Sequence, residues 1–373
     1  MIGLVIGIIL DRSHPVARAG GRPTTSSAAT KAEQTNSSNT PAPPLSVTSV
    51  VPAPGAVNVA STSPITVTFS GPLSPNSPDP SLSPAISGAW TIKGATAVFT
   101  PTSPYMPLSA VAISIPGGSA GVRGVGGGVL SQGVVDRFRI ENGSVLRLQQ
   151  LLSLLDYSPL SWTPASSPIA NGDVAAQTAA IFSPPNGTFT WRDRGWPGRL
   201  RALWKPGTYT VFTKGLIMSF QADHGLYPNG AVGPNLWATM LSALASGTVN
   251  TGGYNFALAD KVAPQRLTVW HDGRIVVASP ANTGIADSPT PDGTFPVDTR
   301  LRSQVMRGTN PGGGKYADLV QYIAYFHHND AIHYMPRADY GIPQSLGCIE
   351  LPLADAARAW PYLAYGTLVM VIG

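Results

Sequence analysis

The sequence predicts a multidomain chain: a β-sandwich, then a small α-helical domain carrying an insertion, then a mainly-β C-terminal domain. Three observations predict it. Apolar and polar residues alternate through much of residues 45–142, switch to helical spacing at 144, and return to alternation near 250. The chain has 373 residues, room for two or three domains at roughly 100–200 residues each. Gly (40) and Pro (36) are abundant while charged residues make up only 12%. That composition suits turn-rich β-structure and excludes a coiled coil or a long helical array.

The N-terminal residues come first. Residues 1–20 read as a signal peptide or short N-terminal anchor. Met1 to Leu10 is apolar but too short to span a bilayer as a helix. Ala17-Arg18-Ala19 supplies a small-x-small cleavage pattern, although the basic segment that normally precedes the apolar run is missing. Residues 21–44, rich in Thr, Ser, Ala, Asn and Pro and without large apolar side chains, read as a disordered linker, because burial there cannot offset ordering entropy.

In residues 45–142, Ile65, Val67 and Phe69 alternate with Thr66 and Thr68, and Val111, Ile113 and Ile115 alternate with Ala112 and Ser114. This is the period of half-buried strands, and Pro and Gly clusters separate the runs. The Gly-rich piece 117–128 reads as a mobile loop. The phrase Val50-Val51-Pro52-Ala53-Pro54-Gly55-Ala56, with Ile65–Phe69 and Phe99-Thr100-Pro101, resembles bacterial Ig-like domains, and a spacer with no site is the role it implies.

In residues 143–247, Val145, Leu148, Leu151, Leu152 and Leu155 lie at helical spacing. A second helical stretch starts near Lys214 and holds Phe220-Gln221. Gly225-Leu226, Asn229-Gly230, Val232-Gly233 and Asn235-Leu236-Trp237 follow it. This order resembles the small helical peptidoglycan-binding domain, with Ser144–Tyr157 as its first helix and a long insertion between the halves. Asn235 stands where that family usually has Thr. A generic amphipathic helical pair is the alternative.

Residues 248–373 return to strands. Leu267 and Val269, an Asp272-Gly273 turn, then Ile275 and Val277 predict a hairpin. Thr290 to Val297 predicts a turn and a strand, and Gly366 to Ile372 an apolar closing strand. Between them lie Ala331-Ile332-His333-Tyr334 and Gln344-Ser345-Leu346-Gly347-Cys348-Ile349-Glu350. The one Cys excludes an internal disulfide and any multi-Cys zinc or iron–sulfur site. An imidazole can take a thiol's proton and return it to a leaving amine. Gly347 permits a tight turn, and the amides of Gly347 and Cys348 are candidate oxyanion donors. An inert buried Cys is the competing reading.

The ordered hairpin, Thr-Pro-x-Gly-x-Phe, Ile-His, Ser-x-Gly-Cys-Ile and terminal Gly-Thr-x-Val resemble the L,D-transpeptidase (YkuD) catalytic domain over roughly residues 250–373. The resemblance implies Cys348 as nucleophile and His333 as general base and acid. Gly347, Tyr334 (through its carbonyl) and Ser345 are implied as oxyanion or orienting residues, and no cofactor is implied. It implies peptidoglycan as partner: cleavage after the third residue of a donor tetrapeptide stem, release of D-alanine, and transfer of the acyl group to an amine of an acceptor stem. Inhibition by carbapenem β-lactams and an exported location at the cell wall or periplasmic space follow from the same resemblance.

Two positions depart from the family pattern. Leu346 replaces the usual His before Gly-Cys, and Glu350 replaces the usual Arg or Asn. Glu350 is placed to meet an acceptor amine or to pair with Arg337. The short His-to-Ser spacing implies a smaller loop over the site, and His328 is the alternative base. His327, His328, Asp330 and His333 also raise a zinc set, but adjacent His residues on a strand point to opposite faces. An L,D-carboxypeptidase with water as acceptor and a catalytically silent wall-binding protein are the other functional readings. Net charge is +5, from 24 Lys and Arg against 19 Asp and Glu, without dense basic runs. Nucleic-acid binding is therefore not predicted, and an anionic wall is compatible.

Overall fold

The computed structural model describes residues 43–373. The segments read as a signal or anchor (1–20) and as a linker (21–44) lie almost wholly outside the described residues. Among the described residues no helix is long and apolar enough to cross a membrane.

The first domain contains β1 (Val47–Val51), β2 (Ile65–Phe69), β3 (Ser81–Ser83), β4 (Gly88–Lys93), β5 (Thr96–Pro101), β6 (Ala110–Ile115) and β7 (Val134–Arg139). One sheet has the order β1-β2-β5-β4 and the other β3-β6-β7. The alternating residues Ile65, Val67 and Phe69 on one sheet and Val111, Ile113 and Ile115 on the other fill one buried core. The Gly-rich piece differs from expectation. It is cross-linked by backbone bonds from Gly118 to Leu130, Val122 to Pro116 and Leu130 to Val122, with Val122 buried. Its glycines serve close packing: a Cβ on Gly117 would lie 2.2 Å from the Gln132 carbonyl carbon.

The second region contains α1 (Val145–Leu154), β8 (Leu160–Pro164), α2 (Val174–Phe182), β9 (Gly187–Trp191), α3 (Gly198–Arg201), α4 (Val211–Asp223) and α5 (Pro234–Ser246). Helix α1 is buried on its polar side as well as its apolar one. Gln149 donates to the carbonyls of Lys205 and Thr208 and accepts from the Gly207 amide. Its periodicity alone does not show this, because the partners come from the insertion. Gln221 clamps the Asn229-Gly230 turn, accepting from the Gly230 amide and donating to the Ala231 carbonyl. Helix α5 starts with Pro234 at its first turn and ends on Gly247 at φ 69°, the left-handed cap that glycine adopts without strain.

The third region holds β10 (Asn255–Asp260), β11 (Arg266–His271), β12 (Arg274–Pro280), β13 (Gly293–Pro296), β14 (Thr299–Thr309), β15 (Lys315–His327), β16 (Asp330–Tyr334), β17 (Ile349–Leu351), α6 (Leu353–Ala359) and β18 (Leu368–Ile372). Two sheets form, β12-β11-β10-β18-β13 and β14-β15-β16-β17. Asp272 and Gly273 both have positive φ (44° and 72°), the turn that matches strand twist between β11 and β12.

The first of these sheets is buried on both faces. Ala257, Ala259, Val369 and Val371 pack toward the second sheet, with Ile332, Ile349 and Leu351. Phe256, Trp270, Leu368 and Met370 pack instead into the core of α1, α4 and α5. This explains the uninterrupted apolar run of β18, since a strand buried on both faces has no polar side. The helical region and the C-terminal region therefore share one core across the boundary placed at 247/248. At the seam α4 meets the turn before β18. A Cβ on Gly366 would lie 2.1 Å from the Gly215 carbonyl, and Ser219 Oγ donates to the Tyr365 carbonyl at 2.8 Å.

Candidate active site

Strands β16 and β17 run parallel with Ile332 opposite Ile349, His333 opposite Glu350 and Tyr334 opposite Leu351. Successive side chains on a strand alternate faces. Ile332, Ile349 and Leu351 enter the core. His333, Glu350 and Cys348 take the other face and line one cavity of about 690 Å³. Its opposite wall comes from the β14–β15 hairpin, including Gln304, Met306, Tyr316 and Asp318. The sequence reading anticipated only a shortened loop over the site. The long hairpin was not legible, because β14 lies mostly exposed and the buried residues of β15 (Val320, Ile323, Ala324 and Phe326) do not alternate strictly.

His333 is buried, and its Nδ1 sits 3.0 Å from the Tyr334 carbonyl oxygen. A carbonyl can only accept, so Nδ1 carries the proton and Nε2 keeps its lone pair. Burial pushes the imidazole's pKa below its ordinary 6.5, outweighing the Tyr334 carbonyl and the Glu350 carboxylate, which favour the cation. His333 is thus a neutral base at neutral pH. Burial pushes the Cys348 thiol up to about 12, and the Asp330 and Glu350 carboxylates add to the rise. The resting group is a thiol whose Sγ lies 3.8 Å from the Asn329 carbonyl.

Ser345 is buried behind the nucleophile. Its Oγ donates to the Cys348 carbonyl at 2.6 Å and accepts from the Gly347 amide at 3.3 Å. Gly347 has φ 112°, and a Cβ there would come 2.3 Å from Asp330 Oδ1. Only glycine fits, on both conformation and space. The Gly347 amide expected to face an oxyanion is instead directed at Ser345. At 3.3 Å that bond is long for N–H···O, so it is weakly held.

Glu350 is buried and forms a two-point pair with Arg337, at 2.8 Å from Nε and 2.7 Å from Nη2. The charge departure noted in the sequence is therefore neutralised within the site. The backbone of Glu350 also pairs with Asn282. Asn282 is fully buried, and its Oδ1 accepts from the amides of Gly341 and Ile342, tying the loop before Cys348 to the end of β12. Asn282 was missed. It stands alone in an Ala-Asn-Thr-Gly stretch, and only the folded loop gives it partners.

The histidine-rich turn gathers His327 and His328, whose rings pack 4.3 Å apart, and leaves His333 as the histidine that lines the cavity. His328 is exposed at φ 48° and does not line the cavity, so the alternative base lies off the site. His327 Nδ1 pairs with Asp330 at 3.2 Å. Among the described residues no three His, Cys, Asp or Glu side chains are grouped to hold a metal ion.

Residues 255–371 match the family model of the L,D-transpeptidase catalytic domain (YkuD), and residues 41–132 match that of a bacterial Ig-like domain. The C-terminal domain thus carries the L,D-transpeptidase family's signature and the first domain that of Ig-like domains. An L,D-transpeptidase from Mycobacterium smegmatis aligns at 16% identity over 89% of this chain and 100% of its own, with TM-score 0.30. L,D-transpeptidase 3 from Mycobacterium tuberculosis in complex with a faropenem-derived adduct aligns at 16% identity over 88% of this chain and 98% of its own, with TM-score 0.30. The catalytic domain of the E. faecium enzyme aligns at 24% identity over 32% of this chain and 96% of its own, with TM-score 0.29. No curated protein matches the chain.

Proposed function

We propose that this protein is an exported peptidoglycan L,D-transpeptidase working through a thioester on Cys348. One observation carries the reading: Cys348 and a neutral, Nδ1-protonated His333 share the cavity face of β16 and β17. Cys348 Sγ attacks the carbonyl carbon of the donor stem's third residue while His333 Nε2 takes the thiol proton. Because the thiol is held far from ionisation, this transfer accompanies attack rather than preceding it. The C–N bond breaks, His333 returns the proton to the departing D-alanine amine, and an acceptor amine then attacks the thioester. His333 takes that amine's proton as sulfur leaves and passes it to the departing sulfur, restoring the thiol and the neutral imidazole.

Tyr334 orients the imidazole through its carbonyl, and Ser345 fixes the backbone on both sides of Gly347. Donation to the oxyanion by the Gly347 amide requires it to leave Ser345, which the long 3.3 Å contact makes inexpensive.

Intact-mass measurement after incubation with imipenem tests this. The protein gains one carbapenem on Cys348, and Cys348→Ala gains none. His333→Gln slows acylation by about 10²-fold or more. Unmodified wild-type protein overturns the reading. Muropeptide products then separate transfer from hydrolysis: cross-linked stems with an amine acceptor, free tripeptide with water.

A further inference from the structure

A second cavity, of about 710 Å³, shares no lining residue with the Cys348 cavity. It lies where the helical region meets the C-terminal domain, and Tyr157, Asp223, Tyr227, Asn250, Arg300 and Tyr365 are among its walls. We infer that this cleft is a saccharide-binding site, taking a short stretch of neutral N-acetylhexosamine glycan. The inference deepens the proposed function, since it names the glycan of the same polymer as a second point of contact.

The lining chemistry decides the ligand class. Asp223 is the one carboxylate and Arg300 the one cation. Arg300 is partly committed: its guanidinium stacks over Trp360 at 4.2 Å and Nη2 donates to the Trp360 carbonyl at 2.7 Å, while its buried Nε is left without a partner, a single donor matched to one hydroxyl or amide oxygen. A phosphate or other anion would need surplus positive charge, and a divalent cation more than one carboxylate. A lipid tail would need apolar walls, whereas Ser219, Asn250, Asn255 and Thr367 contribute hydroxyls and amides here. What remains fits a neutral ligand with apolar ring faces and many hydroxyl and amide groups.

Tyr227 is the sharpest element. It is 82% exposed on the loop after α4, yet it lines this cleft. An aromatic ring left in water without packing partners offers a flat apolar face with a polar tip, suited to stacking on a sugar ring. The loop that carries it is held by the Gln221 clamp on Gly230, so the face is presented on a fixed turn. Cavities of this size at domain junctions are the usual setting for small-ligand binding.

Calorimetric titration of the full chain with chitotetraose tests the inference, with a stem tetrapeptide as the second probe. Wild type binds chitotetraose, Tyr227→Ala weakens it about tenfold or more, and Tyr227→Phe stays within about twofold because the stacking face remains. Tetrapeptide binding does not change in Tyr227→Ala. Absent chitotetraose binding, or equal binding by Tyr227→Ala, overturns the inference. So does tetrapeptide binding that falls with Tyr227→Ala, which would make the cleft a peptide site. Carbapenem acylation of Cys348 is measured on the same samples. Its failure alone sinks the transpeptidase reading and leaves the saccharide cleft standing.

Discussion

The N-terminal sandwich and the helical region both precede the C-terminal domain, yet they stand in opposite relation to it. The sandwich closes its own core, with Ile65, Val67, Val111 and Ile113 all buried between its two sheets. The helical region does not. Leu216, Phe220, Trp237 and Met240 share a single cluster with Phe256, Trp270, Leu368 and Met370 of the C-terminal sheet. The first domain meets the helical region through Met106 and Phe182, but its core closes without them, as a separable unit needs. The second covers one face of the first C-terminal sheet, whose other face packs on the sheet that carries the candidate chemistry.

The largest test of that contrast is deletion. Removing residues 143–247 uncovers Phe256, Trp270, Leu368 and Met370. At about 1.5–3 kcal/mol per large apolar side chain, the loss is roughly 6–12 kcal/mol. That rivals the 5–15 kcal/mol typical of a whole domain. The shortened protein is expected to be insoluble and not acylated by imipenem. Removing residues 45–142 is expected to leave acylation within about twofold, because Cys348, His333 and their partners all lie in the C-terminal domain. Soluble, acylated protein lacking 143–247 would break the comparison.

Single substitutions sharpen it. Trp237, 1% exposed, sits in the shared cluster. Trp237→Ala is expected to cost about 3–5 kcal/mol and to lower the urea midpoint for unfolding and the acylation-competent fraction together. Ile113→Ala in the sandwich is expected to cost about 2–5 kcal/mol, with acylation of the folded protein unchanged. Gly366→Ala strikes the seam itself. Its φ of 81° and the 2.1 Å approach to the Gly215 carbonyl predict a loss of about 1–3 kcal/mol in thermal unfolding, confined to the transition of the shared core.

The smallest effect is one of pH. His333 has a folded pKa below the ordinary 6.5, so between the two values the unfolded chain binds more protons. Stability conferred by the neutral imidazole is intact above pH 6.5 and is lost as pH falls through the folded value. Calorimetry at stepped pH should show the shared-core transition dropping on the acid side, an effect His333→Gln removes, while the sandwich transition is insensitive to that substitution. Acylation by imipenem should have its acid limb below 6.5 for the same reason.

Much of the site was legible because its parts are adjacent in sequence. Ser345, Gly347 and Cys348 form one turn, and His333 lies on a short apolar strand, so residue order alone placed the two reacting groups as candidates. Pairing of Glu350 with Arg337 was one of two roles the charges suggested, and the fold makes it a two-point pair. Asn282, the hairpin wall at Gln304 and Met306, and the cleft beside Tyr227 had no local signal, because each is defined by partners far along the chain. The 117–128 segment misled for the converse reason. Its glycines read as freedom, while the fold uses Gly117, Gly121 and Gly128 for close backbone approach.

Local periodicity and turn chemistry thus determined many of the strands and helices, and the motif order with its family resemblance marked Cys348 and His333 for the proposed chemistry. Periodicity and turns depend on neighbours a few residues apart. Only the tertiary structure decided that β18 is buried on both faces, that the helical region completes the C-terminal core, and that a second cleft opens at their junction. Burial of a surface depends on what folds against it. The alternation of Phe256 with Ala257, or of Leu368 with Val369, marks two apolar faces without saying which element will cover each.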